Sequence, residues 1–175
     1  MRPLILVLLI CAVHSLQAQQ VPRFAKYPIG DSGCEGYFPG DPEFEMTWSD
    51  DSSKVYTGEV ALDSFNYFAI CVKLSEPQSA SQREQLDLLE SYMDFLQEAL
   101  EVTGTAGYGE GHTLEYYPSV SGVIDYWEDA GGNSYTVKGW TNTQYLVVLG
   151  IYGQGEYPYF NAGQMYLEGI RFPEE

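Results

Sequence analysis

Basic side chains are scarce. The 175-residue chain carries 8 Lys and Arg against 25 Asp and Glu, a formal charge of −17. No Lys or Arg falls between Arg83 and Lys138. Nucleic-acid binding needs a basic footprint, and docking on anionic lipid needs a polybasic segment. Neither is present, so both partner classes are excluded. Histidine is limited to His14 and His112, and cysteine to Cys11, Cys34 and Cys71. Long apolar runs are also missing. The one at residues 3–13 is too short to span a bilayer, so no membrane insertion is expected.

That run does have a purpose. Met1 and Arg2 give it a positive start, and Leu16-Gln17-Ala18 ends it with a small residue. This is the pattern of a secretory signal peptide cleaved near Ala18. The expected location is secreted or periplasmic. Leu8-Leu9-Ile10-Cys11 faintly mimics a lipoprotein site, but Ile10 is large where a small residue is required. Cleavage leaves 157 residues, enough for one domain with its own core. It also leaves Cys34 and Cys71, a candidate disulfide worth on the order of 4 kcal/mol in the chain-entropy model. Two separate thiols are the alternative. The mature chain keeps 7 bases against 25 acids, a formal charge of −18. Such charge keeps a protein soluble and leaves cations, basic proteins and neutral polymers as partners.

Residues 19–42 are punctuated by Gly and Pro and read as an irregular N-terminal segment, with a short element at 24–29. Residues 43–175 read as a single α+β domain. Phe44, Met46 and Trp48 alternate with Glu43, Glu45 and Thr47, the mark of a half-buried strand. A second strand spans 54–62 and a third 65–74. The third is apolar on both faces, which implies layers on both sides of a sheet. Residues 81–102 form the clearest helix, opened by the capping box Ser81-x-x-Glu84 and closed near Gly104. Its apolar arc is broad, and its acids repel at i,i+4, so burial must hold it. Residues 105–111 read as a loop. Strands follow at 112–117, 120–127, 135–141 and 145–152, the last being the most apolar and central. Asn161-x-x-Gln164 suggests a second capping box for a short helix through Leu167. The strands are not separated by helices within either group, so they should pair antiparallel. The expected fold is a largely antiparallel sheet of six to seven strands with one long and one short helix.

This element order, with a short helix running into Gly169-Ile170-Arg171-Phe172-Pro173, resembles the PsbP-like fold. The resemblance implies a sheet sandwiched between helices and a binding or assembly role. It carries no functional residue across. The pattern is also similar to uncharacterised secreted bacterial proteins, particularly of Bacteroidetes.

Chemistry-bearing motifs are few. Gly30-Asp31-Ser32-Gly33 matches the string around a trypsin-like nucleophile, but His112 follows it rather than preceding it, and a Gly-rich turn explains it. The glycines at 104, 107, 109 and 111 lack the Gly-Lys-Ser/Thr of a phosphate loop. His112 has no second His or Cys at ligand spacing. No catalytic residue, metal ligand or cofactor is therefore expected. Asp31, Asp41, Asp50 and Asp51 are the candidates for a hard cation, though without EF-hand spacing. Trp127, Trp140, Tyr157 and Tyr159 are the candidates for an aromatic binding surface. The function expected is an exported, non-enzymatic binding or accessory domain contacting a protein or a cell-envelope glycan. The alternative is a carboxylate-dependent glycan hydrolase. Expressed with its leader in a secreting host, the product should begin at Gln19 by intact-mass measurement. A product that retains Met1 would refute the leader.

Overall fold

The computed structural model describes residues 22–78 and 81–173. The expected leader, with Cys11 and His14, lies outside the described residues. The chain opens with a hairpin of β1 (Ala25–Pro28) and β2 (Glu35–Phe38). A meander follows: β3 (Glu43–Trp48), β4 (Lys54–Leu62) and β5 (Phe65–Lys73). Helix α1 (Gln82–Ala99) crosses to β6 (Val102–Thr105) and β7 (Gly109–Leu114). A second meander holds β8 (Tyr117–Asp129), β9 (Ser134–Thr141) and β10 (Tyr145–Gly153), and α2 (Phe160–Glu168) ends the fold. The eight strands from β3 to β10 form one antiparallel sheet of order β3-β4-β5-β10-β9-β8-β6, with β7 also on β8. This is the expected α+β class.

The two meanders meet at β5 and β10, which pair from Phe65↔Gly153 to Lys73↔Tyr145. Both strands alternate apolar residues on both faces, as the sequence implies. Tyr67, Ala69, Cys71, Val147, Leu149 and Ile151 enter one core, and Phe68, Val72, Leu146 and Val148 the other. α1 covers the second core with Leu86, Leu89, Met93 and Leu96. Its close approach depends on Gly139. A Cβ there would stand 2.7 Å from Met93 Sδ and 2.9 Å from Leu89 Cδ1. Burying each such side chain contributes about 1.5–3 kcal/mol. The helix buries a narrower stripe than its apolar arc suggests, and Phe95 stays exposed beside Tyr92.

The expected capping box at Ser81 forms. Its hydroxyl accepts from the Glu84 N–H, and its own N–H donates to Glu84 Oε2 at 2.7 Å. The helix ends earlier than Gly104 because Glu101 takes a left-handed φ of 54°. That turn sends residues 102–105 directly into β6, a strand the glycine content hides. Gly104 instead sits at a register shift within β6. α2 also departs from expectation. It starts at Phe160, ahead of Asn161, so Tyr159 holds the cap position with no side-chain cap, and the Tyr159 hydroxyl donates to Asp63 instead.

In the described part of the N-terminal segment, β1 stands where a short element is expected, and β2 pairs with it. The β1–β2 hairpin plugs Ile29, Cys34 and Phe38 into the first core, beside α2. Glu35 and Arg171 exchange backbone hydrogen bonds at 2.8 and 2.9 Å, so the hairpin and the C-terminal segment pair.

Among the described residues, Asp125 and Lys138 are buried ionisable side chains. Lys138, 3% exposed, ion-pairs with Glu168 at 2.8 Å and lies 4.9 Å from the Trp140 ring centre. Removing one partner of a buried pair strands the other, whereas an apolar replacement can be neutral. Glu168→Ala should cost about 1–3 kcal/mol, less than a fully buried pair because Glu168 is half exposed. Lys138→Met should cost under about 1 kcal/mol. Urea unfolding of both variants checks this, and equal losses would refute it.

Candidate binding groove

α1 packs mainly over β8 and β9. On the same face, the wing formed by β3, β4 and the near half of β5 is left open. The result is a groove of about 590 Å³. That is within the range of ligand clefts. Its floor is Phe68, Ile70 and Thr57, and its helical wall is Leu96, Ala99 and Leu100. Gly150 makes the floor possible, since a Cβ there would fall 2.1 Å from the Phe68 ring. One end is closed by Tyr135 and Tyr152, stacked at 4.9 Å and 12°.

The other rim is acidic. Strand register puts Glu43 directly opposite Glu59, and Glu45 opposite Thr57. Like charges facing each other across strands are destabilising. No Lys or Arg lines the groove. Tyr152 donates to Glu59 Oε2 at 3.1 Å. Burial, then the Glu59 carboxylate, push the Tyr152 phenol up to about 12. It therefore remains a donor at neutral pH. Tyr135 donates to Asp129 at 2.9 Å. Asn133 holds that carboxylate down to about 2 through its side chain and N–H. The stacked pair is thus braced from both ends.

A second cavity, about 290 Å³, opens on the opposite face between β8–β10 and the start of α2. Tyr126, Tyr157 and Phe160 rim it, and no charged residue lines it.

The sequence-predicted residues fall elsewhere. Trp127 and Trp140 are not a binding surface. Both are buried, with their indole N–H groups donating to Asp125 at 2.7 Å and to the Leu167 carbonyl at 2.8 Å. Strand periodicity aims them inward. Tyr157 is half-buried on the rim of the smaller cavity and shares a hydrogen bond with Tyr67. Tyr159 is engaged by Asp63. The exposed tryptophan is Trp48, at 62% exposure, because the layer that would cover its face of β3 stops short of the edge.

Cys34 and Cys71 come together, but as free thiols rather than the expected bridge. Hydrogen bonding with Cys71, then burial, push the Cys34 thiol far above its ordinary value. Dry, protonated thiols pack as small apolar groups.

The four aspartates do not gather into one site. Asp31 pairs with Lys54 at 3.3 Å. Asp51 caps its own turn, accepting from the Ser49 hydroxyl and from Ser53 N–H at 3.1 Å, and these bonds, Ser49 first, hold its carboxyl low. Asp41 and Asp50 are exposed. Among the described residues, no three His, Cys, Asp or Glu side chains converge as metal ligands. His112 is half-buried, and burial and then Lys138 lower its pKa.

Sequence reasoning missed the groove and one polar network. Tyr108 donates to Asp94 at 2.6 Å, and Gln97 reaches both Tyr108 and the buried Asp125. The network ties the 106–108 loop to α1. Beside it, Glu90 Oε1 is buried without a hydrogen-bond partner among the described residues. No family model matches the chain, and no curated protein matches it.

Burial raises the Glu90 pKa, outweighing Arg83. The unfolded chain therefore ionises first, near 4.5, and stability falls as pH rises through the folded value. Glu90→Gln should raise Tm at pH 7, and the gain should shrink as pH falls below the unfolded value. A gain independent of pH would sink this account.

Proposed function

We propose that this chain is an exported, non-enzymatic binding domain that contacts a protein or a cell-envelope polymer through the groove beside α1. One observation carries the reading. The groove joins an apolar floor, a braced tyrosine stack and an acidic rim in a single open cleft of ligand size. Aromatic faces and apolar floors supply contact area, while a few placed polar groups set orientation. The resemblance to PsbP-like proteins points to the same class of role without supplying a residue.

The rival reading, a carboxylate-dependent glycan hydrolase, draws on Glu43 and Glu59 facing each other beside tyrosines. Such an enzyme sets one carboxyl in a dry, apolar pocket as the proton donor. Glu43, Glu45 and Glu59 are all solvent-exposed. The geometry favours binding over turnover.

Calorimetric titration with basic peptides and with soluble cell-envelope glycans should find a ligand recovered chemically unchanged. Tyr152→Leu, which removes the stack and the hydroxyl but keeps bulk, should weaken that ligand by ~10-fold, as expected of a tyrosine hot spot. Binding untouched by both Tyr152→Leu and Glu59→Gln would overturn the site. Cleaved glycan that disappears with Glu59→Gln would instead establish the hydrolase.

A further inference from the structure

We propose that β3 is a docking edge for an extended segment of a partner protein in which cationic and apolar side chains alternate. The inference rests on the groove being a binding site and names its occupant.

The two edges of the sheet are built differently. At the far edge, β6 is four residues long and its pairing with β8 slips between Val102 and Gly104. The β7 pairing slips twice. Short, bulged strands blunt an edge against further pairing. β3 has none of these devices. Its six residues pair with β4 in unbroken register from Glu43↔Glu59 to Trp48↔Lys54. Among the described residues, no strand lies on its other side. Five of its six residues are exposed. Such an edge offers a row of backbone donors and acceptors to an added strand.

The two faces of β3 specify what that strand carries. On the groove face stand Glu43 and Glu45, with Glu59 behind them and no base in the lining. Lys or Arg side chains of an added strand would enter this field and relieve the Glu43–Glu59 repulsion. On the opposite face, Met46 and Trp48 are 43% and 62% exposed, next to Phe44. Lys54 lies 5.6 Å from the Trp48 ring centre, but Asp31 neutralises it. Apolar side chains of the added strand would cover Met46 and Trp48. Side chains alternate across a strand, so cationic and apolar residues must alternate in the partner.

A second copy fits poorly. Any face-matched pairing of two β3 strands places glutamates from both on one face, and each chain brings a formal charge of −17. Like charges on neighbouring strands oppose that union.

The test uses an end-blocked, fluorescently labelled octapeptide of alternating Lys and Val, followed by anisotropy. Two further peptides carry N-methyl groups on alternate amides, one in each phase. Spermine and a neutral chitin oligomer serve as competitors. The octapeptide should bind, and Glu45→Lys, checked for folding by circular dichroism, should weaken it at least ~10-fold, the cost of reversing one close charge. One methylated phase should lose binding and the other keep it, because only one row of amides faces β3. Trp48 emission should shift to the blue on binding, since Trp127 and Trp140 are already buried. Equal binding of both methylated phases, matched by spermine, would overturn strand pairing and leave a charge-selective groove. Chitin oligomer that binds by calorimetry while the octapeptide does not would overturn the cationic partner and leave the groove. Binding of nothing in the panel would overturn this proposal and the function assigned to the groove together.

Discussion

The fold hangs on the β5–β10 ladder. These two strands are buried on both faces, and their pairing joins two meanders that come from opposite ends of the chain. Every covering element is placed relative to that seam. α1 lies over one side, and α2 with the β1–β2 hairpin lies over the other. The hairpin reaches β3 only at Phe44, which packs on Phe38, and leaves Met46 and Trp48 exposed. The groove on one face and the bare Met46 and Trp48 on the other are the two sides of one fact: the sheet is wider than its layers.

That mismatch explains why a protein so rich in carboxylates still has a defined acidic site. Most acids are occupied locally. Asp51 and Asp129 stiffen turns, Glu84 caps α1, Asp94 anchors the 106–108 loop, Asp125 holds the Trp127 indole, and Glu168 neutralises Lys138. Glu43 and Glu45 have no such duty. They stand opposite more negative charge, at an edge, above an apolar floor. Natural edges often carry charge to discourage pairing. Here that charge discourages a like partner and favours an oppositely charged one.

Much of the architecture was legible in the sequence. The period-2 pattern located β4 and β9 almost to the residue, the two-faced apolar run marked β5 as interior, and the Ser81–Glu84 box opened α1 where expected. The misses have physical causes. Glycine-rich β6 and β7 have too few side chains to show a period, and their bulges break what period there is. The β1–β2 hairpin is stabilised by long-range contacts of Ile29 and Phe38, which no local pattern reveals. Site reasoning fared worse. Of the four aromatic candidates, Trp127 and Trp140 point into the two cores, a choice of face that the sequence alone leaves open. The groove is made by the end of a helix and the edge of a sheet, and where covering stops is a property of the assembled layers.

The same seam governs the order in which this chain can complete itself. β5 is made early, but its partner β10 is nearly the last strand, and the hairpin from residues 25–38 closes on α2 and Arg171 at the very end. One edge of β5 pairs at once with β4, but the other must wait for β10. Contacts so distant in sequence are slow to form. The span between the two strands, residues 74–144, therefore stays an open loop until that single seam closes.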